Sequence, residues 1–403
     1  MTGPLQAIRI FDMSRILAGP SCTQLLGDLG ADIIKVERPG IGDDTRKWGP
    51  PFLKDAEGHD RESSYFLSAN RAKRSLTLDF TTPEGRDIAL RLIAQSDVLL
   101  ENYKVGTLAK YGLGYDALHA RFPRLVYCSL TGFGQTGPYA PRAGYDFLAQ
   151  AMGGIMSLQG EPEGEPMKGA VAMADLMAGM YSAVAILAAL HHRDRTGAGQ
   201  SIDVALLDTQ IAWLGNQAQA YLISGEVPPR LGNAHLSIVP YQVFATADGH
   251  IVLAVGNDGQ FRKFCRFAGV PHWADDPRFA TNRARVENRT VLVPMLAEIL
   301  RQQPSAHWTE GLEREGVPAS PINRLDEVFA DPHVKAREMV VKMDHPAAPA
   351  PIDLIANPIK YSATPIAYRD PPPLIGQHTD AILRELLDLS EAKIADLRAR
   401  GVV

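Results

Sequence analysis

Asp175 is the residue with the clearest chemical potential. The segment VAMADLMAGMY (Val171–Tyr181) sets it among Ala, Met, Leu and Gly at the predicted start of a helix. Asp is a favoured N-cap residue, so capping alone explains it. The same position also suits a nucleophile. The helix dipole favours the carboxylate anion, and partial burial leaves that anion less solvated and more reactive. Cations form a second group: Arg38, Arg46, Lys73, Arg74, Lys104 and Arg142 fall at predicted strand ends or in the loops after them. Singly each reads as surface charge. Together they suit a phosphorylated, adenine-bearing ligand, because guanidinium forks pair with phosphate and stack on rings. A third feature is LTGFGQTGPYAPRAGYDFLAQA (Leu130–Ala151), where glycines at 132, 134 and 137 let backbone approach a ligand closely. Tyr145 and Asp146 lead from it into a helix, as caps, packing residues or pocket residues.

The elements that must position these residues alternate. Apolar runs at Ile8–Phe11, Asp32–Val36, Leu76–Leu78, Val98–Leu100, Leu125–Leu130 and Ser201–Val204 predict strands. Helical spacing covers Cys22–Leu29, Pro83–Gln95, Asp175–His191 and Leu206–Ile223, and the third of these is apolar almost all round, predicting a buried helix. This rhythm predicts an α/β fold with a helix-covered parallel sheet. Character changes at EVPPRLGNAH: Tyr241–Thr246 and Ile251–Val255 read as a hairpin turning at Asp248-Gly249, followed by helical stretches at 259–268, 287–302 and 306–315. The expected division is a large Rossmann-like domain over 1–224, a smaller α+β domain over 225–329, and a Pro-rich C-terminal segment, 330–403, that completes the first domain. Two short helices, 379–388 and 390–399, close the chain.

Composition narrows the function classes. A chain of 403 residues with 45% apolar content can bury a core without disulfides or metals. The net charge of -5 gives no global attraction to nucleic acid or a membrane surface, so an anion site must be local. Cys22, Cys128 and Cys265 are scattered and odd in number, which predicts reduced thiols and no zinc site. No uninterrupted apolar run reaches the ~18 residues that span a bilayer, and the N-terminus lacks a signal-peptide pattern, so a cytoplasmic protein is expected. A nicotinamide-binding start is disfavoured: MSRILAGPS carries one glycine instead of G-x-G-x-x-G, and Arg38 follows Glu37 directly.

DMSRILAGP, GADIIKVERPGIGDDTR, NRAKRSLTLD, ENYKVGTL, TGFGQTGPY, VAMADLMAG and PPLIGQHT together resemble the class III CoA-transferases, the CaiB/BaiF family, over essentially the whole chain. The resemblance implies a Rossmann-like large domain and an interlocked homodimer. It implies that Asp175 is the catalytic nucleophile and that Arg38 contacts adenine. Lys73, Arg74 and Lys104 would contact the CoA phosphates, with Ala18 near the thioester. CoA would enter as part of an acyl-CoA substrate, with no permanent cofactor. Tyr145 stands where the family's racemases carry a histidine base, which favours transfer over proton abstraction. Leu17 replaces the Gln of formyl-CoA transferases, and GNA (Gly232–Ala234) is not followed by their glycine run. AHLSIVPYQVF, GNDGQF and VPASPINRLDEVF instead resemble the branch that moves CoA from succinyl-CoA to small carboxylic acids such as glutarate. A distal carboxylate then needs a cation, with Arg15, Arg46 and His235 as candidates. Backbone N–H groups near Gly134 or Ala18 would face the developing oxyanion. A racemase-like isomerase, a formyl-CoA transferase and a non-catalytic CoA-binding protein are the alternatives.

Overall fold

A computed structural model describes residues 3–403. Strands β1 (Arg9–Asp12), β2 (Asp32–Glu37), β3 (Arg74–Thr77), β4 (Val98–Glu101), β5 (Val126–Thr131) and β6 (Ser201–Ala205) form one parallel sheet. Its order is β3-β2-β1-β4-β5-β6. The central strands β1, β2, β4 and β5 are mostly buried short runs because both faces of the sheet are covered. On one face Phe11, Ile34 and Leu99 share a core with Ile88 and Leu92 of helix α2 (Pro83–Ile93). Ile382, Leu387, Ile394 and Leu397 of the two C-terminal helices join the same core. On the other face Ile10, Ile33 and Val98 meet Cys22 and Leu26 of α1 (Ala18–Asp28) and Ala178 and Ile186 of a long helix.

This long helix runs Met173–Thr196; with helix α3 at Asp146–Met152 it is numbered α4. It starts two residues before Asp175 and is not buried all round. Ala174, Ala178 and Ile186 face the core, whereas Leu176, Met180, Val184 and Leu187 lie exposed along another side. Among the described residues it is the one helix long and apolar enough to cross a bilayer by length and composition. The segment expected as one helix over Leu206–Ile223 is two, α5 (Leu206–Ala212) and α6 (Asn216–Ser224), parted where Gly215 takes φ +52°.

The chain divides into two compact units. The first comprises residues up to Gly153, Gly169–Trp213 and Lys335–Val403; the second comprises Gly154–Lys168 and Leu214–Val334. The boundary therefore differs from the expected 224/225, and Gly154–Lys168 is an excursion into the second unit. Hydrogen bonds explain it: Gly232 N donates to Gly160 O at 3.1 Å, and the Arg230 guanidinium donates to the carbonyls of Glu161, Pro162 and Gly164. The second unit contains a three-stranded antiparallel sheet formed by Tyr241–Ala245, His250–Ala254 and Ala319–Pro321. Its helices pack Phe261, Phe264, Leu296 and Leu312 with Phe244 and Leu253 of the sheet.

Candidate active site

The sheet order reverses between β1 and β4. In open α/β sheets ligands bind at the carboxyl ends of strands beside such a switch point. Two cavities open there, of about 250 Å³ and about 400 Å³. The larger runs past the end of β2, beside Arg38, Phe80 and Asp79. The smaller runs between Ala18, Lys104, the loop after β5 and Asp175. Arg15, Asp44 and Tyr103 line both, so the two are neighbours along one wall.

The residues after β1 are fixed from two sides. Asn102, after β4, accepts from Arg15 N at 2.9 Å and donates to Arg15 O at 2.7 Å, extending the strand pairing by a side chain. Ile16 then adopts φ +73°, a left-handed conformation that costs a β-branched residue of order 1–3 kcal/mol. Its amide faces both carboxylate oxygens of Asp43 at 3.3 Å. Asp43 is ion-paired at 2.8 Å with Lys35, whose side chain is fully buried. Burial opposes the charge on Asp43, but Lys35 and the Thr45 donors prevail and lower its pKa to about 2. Burial likewise opposes the Lys35 charge, and Asp43 and its acidic neighbours still raise its pKa. This buried pair was not read from the sequence; the only trace was the GIGDDTR segment. It leads the chain into α1, whose first residue, Ala18, lines the smaller cavity.

Asp175 sits at the third position of α4, 8% exposed, in the wall of the smaller cavity. It is not the N-cap. That position is Ala172, which has no capping side chain. The free amides are served instead by Asp146, the first residue of α3: Oδ1 accepts from Ala174 N at 2.8 Å and from Asp175 N at 3.4 Å. Buried Gln150 orients this cap by donating to Asp146 Oδ2 at 2.7 Å. Burial raises the pKa of Asp175 to about 7, and the charge of Asp146 adds to the effect. The helix dipole favours the anion here, but desolvation outweighs it.

The remaining candidates separate by partner. Arg38 and Lys104 are exposed and line the larger and smaller cavities respectively. Arg15 is exposed, 3.4 Å from Asp44 and 5.1 Å above the Tyr103 ring. Tyr145, 61% exposed, precedes α3 and lines the smaller cavity. Arg46 is not available to a substrate carboxylate. It is 7% exposed, forked onto Glu37 at 2.6 and 2.7 Å and paired with Glu62 at 3.0 Å. Lys73 does not reach solvent phosphates either. It is 1% exposed and its Nζ donates to Pro20 O and Asn70 Oδ1, bracing α1. Burial lowers its pKa to about 7, with Asp12 opposing the shift. Arg74 opens β3, at the amino-terminal edge of the sheet and so at the wrong end, where it forks onto Asp32 and reaches Glu385 at 3.1 Å. His235 belongs to the second unit, its Nδ1 accepting from Ser237 N and its ring edge-on to Tyr241. The amide of Gly134 is spent on Thr131 Oγ1 at 2.9 Å; at the start of α1, Pro20 has no N–H and Ser21 N donates to Leu17 O at 2.7 Å, so the Ala18 and Gly19 amides remain as candidate donors to an oxyanion.

Asp55, Glu57 and His59 are the one group among the described residues close enough to share a metal ion. They sit on an exposed hairpin turn, where Asp55 already accepts from the amides of Glu57 and His59. The three cysteines are buried, and burial raises their thiol pKa values.

A buried carboxylate in the wall of a cavity lined by Arg15, Lys104 and Arg142, at the switch point of a doubly wound sheet, fits the site of an α/β enzyme. The sequence profile of CoA-transferase family III matches residues 5–379, and the chain belongs to that family of CoA-transferases. It is 49% identical to the succinate–glutarate CoA-transferase of Agrobacterium fabrum, over 95% of this chain and 96% of that protein. It is 44% identical to the human succinyl-CoA:glutarate CoA-transferase, over 99% of this chain and 90% of that protein. Among solved structures, a CaiB/BaiF family protein from Brucella suis is 50% identical and superposes with a TM-score of 0.84, over 96% of this chain and 100% of that one.

Proposed function

We propose that this enzyme moves CoA from succinyl-CoA to a small dicarboxylate, glutarate first among them, through a thioester on Asp175. The observation that carries the chemistry is the placement of Asp175, buried on the first turn of α4 in the wall of a cation-lined cavity. The names of the two relatives support the substrate pair. The nucleotide of CoA would lie along the larger cavity, towards Arg38, and its thioester would enter the smaller cavity past Arg15.

An Asp175 oxygen attacks the thioester carbonyl, the C–S bond breaks, and a mixed anhydride and CoA thiolate form. The thiolate attacks the Asp175 carbonyl carbon and releases the donor carboxylate, leaving an aspartyl-CoA thioester. An acceptor carboxylate then attacks that carbon, expels the thiolate and forms a second anhydride. The thiolate takes the acceptor's acyl carbon and frees Asp175. Each barrier is smaller than that of direct exchange. The first-turn amides of α1 would stabilise the oxyanions.

The test is intact mass after incubation with succinyl-CoA. The wild type is expected to gain a hydroxylamine-sensitive CoA adduct and Asp175→Ala none. An equal adduct on both would exclude Asp175. A homodimer is part of the same reading. Leu176, Met180, Val184 and Leu187 expose an apolar stripe on α4, continued by Leu148 and Met152 of α3, and a second copy would cover it. Light scattering after size exclusion should give about twice the 43.8 kDa chain mass; a monomer at micromolar concentration would rule the dimer out.

A further inference from the structure

We infer that Arg142 holds the carboxylate that distinguishes a dicarboxylyl group from a monocarboxylyl one. The inference rests on the dicarboxylate reading above and assigns its recognition to a residue. Part of the lining of the smaller cavity, Gly132 and Ala140 to Gly144 without Pro141, belongs to a closed loop. Gly132 and Gly144 cross at its neck so closely that a Cβ on Gly132 would stand 2.3 Å from the Gly144 Cα, and one on Gly144 2.2 Å from the Gly132 Cα. Residues 133–143 therefore leave and return at one point, as in a compact Ω-loop. The loop packs on its own side chains, with the rings of Phe133 and Tyr139 edge to face at 5.8 Å.

The Arg142 guanidinium lies 4.0 Å from the centre of the Tyr139 ring, and its amide donates to Tyr139 O at 2.9 Å. Stacking fixes the plane of the fork and leaves its edge N–H groups for a carboxylate. No carboxylate among the described residues pairs with Arg142. Arg15 differs: it has Asp44 at 3.4 Å and stands where the two cavities meet, on the side from which CoA would enter. Arg46 is spent on Glu37 and Glu62. Four residues after Arg142, Asp146 caps the helix that carries Asp175. Loop, cap and nucleophile thus form one continuous wall. Arg142 and Asp175 line the smaller cavity and Arg142 does not line the larger one, so an acyl group on Asp175 whose CoA lies along the larger cavity has Arg142 beside it for its far end. A bidentate guanidinium–carboxylate pair there would reward the second carboxylate and give an acyl chain ending in methyl nothing.

The test compares succinyl-CoA with butyryl-CoA, which has the same chain length and a methyl in place of the distal carboxylate. Rates of enzyme–CoA adduct formation are read by intact mass for wild type, Arg142→Ala and Arg142→Lys. The wild type should prefer succinyl-CoA. Arg142→Ala should lose ~100-fold with succinyl-CoA and less than ~3-fold with butyryl-CoA, and Arg142→Lys should fall between. A preference that survives in Arg142→Ala, or equal losses with both donors, overturns the assignment while leaving the dicarboxylate reading intact. A wild type indifferent to the distal carboxylate overturns both. Since Arg142 is exposed, its variants should keep the wild-type melting temperature, and a matched loss in Arg15→Ala would move the role to that residue.

Discussion

The carboxylate of Asp146 accepts the backbone amide of Asp175 at 3.4 Å while accepting that of Ala174 at 2.8 Å. One acid thus caps the helix that carries the other and also raises its pKa. The nucleophile in the proposed reaction is the Asp175 anion, so adduct formation should rise with pH around a midpoint of about 7. Asp146→Asn keeps an oxygen for the two amides and removes the charge. The midpoint should move down, but only in part, because burial is the larger cause. Single-turnover rates from pH 5.5 to 8.5 check this, and an unmoved midpoint would refute the coupling.

The same raised pKa carries a stability cost of known sign. An ordinary Asp ionises at 3.8, and in the fold Asp175 does so at about 7. Between these values the native chain binds more protons than the unfolded one, so stability falls as pH rises, and the loss is complete above about 7. Asn cannot ionise. Asp175→Asn should therefore stabilise the protein by an amount that is near nil at pH 4 and grows to a few kcal/mol at most by pH 8. Urea unfolding at several pH values measures it; a difference independent of pH would contradict the linkage.

The sheet was legible in the sequence because parallel strands buried on both faces are short apolar runs, and each predicted run overlaps a strand. The break at Leu214–Gly215 was not legible, since no proline marks it and one glycine in a helical pattern is tolerable. The partners of the cations are not legible in the sequence, for a different reason. Arg46 and Arg74 were typed by their place near strand ends, but their partners Glu37, Glu62 and Asp32 lie 9 to 42 residues away, where no local periodicity reports them. Asp146 was visible as a helix start, but not as the cap of a helix 28 residues further on.

Lys35 and Asp43 form a buried ion pair whose further task is to hold the strained Ile16 amide. Removing either charge leaves the other unpaired in the interior, at a cost of about 3–5 kcal/mol. Asp43→Asn and Lys35→Met should each lower the denaturant midpoint strongly, and the double variant should lose much less than their sum. Adduct formation should not recover fully with stability, because the double variant loses the Lys35 Nζ bond to Ser14 O at 3.2 Å and leaves the Ile16 amide a neutral acceptor in place of a carboxylate. A double variant with wild-type rate would show that the pair serves stability alone.

Gly179 lies one turn past Asp175 on α4, where that helix crosses α1. Alanine is normally the better helix former by ~1 kcal/mol, so on an open face Gly179→Ala would stabilise. Here the added Cβ would stand 2.4 Å from Ser21 Oγ and 2.6 Å from the carbonyl oxygen of Ala18. The serine hydroxyl can rotate away; the carbonyl belongs to the first residue of α1 and cannot. The helices must part, at a cost of about 1–3 kcal/mol. Ala18 and Asp175 line the same cavity from these two helices, so parting them moves the nucleophile from the amides proposed to stabilise its oxyanion. Gly179→Ala should lower the adduct rate at least ~10-fold, since misplacement of about an ångström is costly at a reacting centre. Adding Ser21→Ala removes only the movable obstacle and should not restore the rate. Full rescue by that second change would mean that the hydroxyl, and not the Ala18 carbonyl, sets the spacing of the two helices.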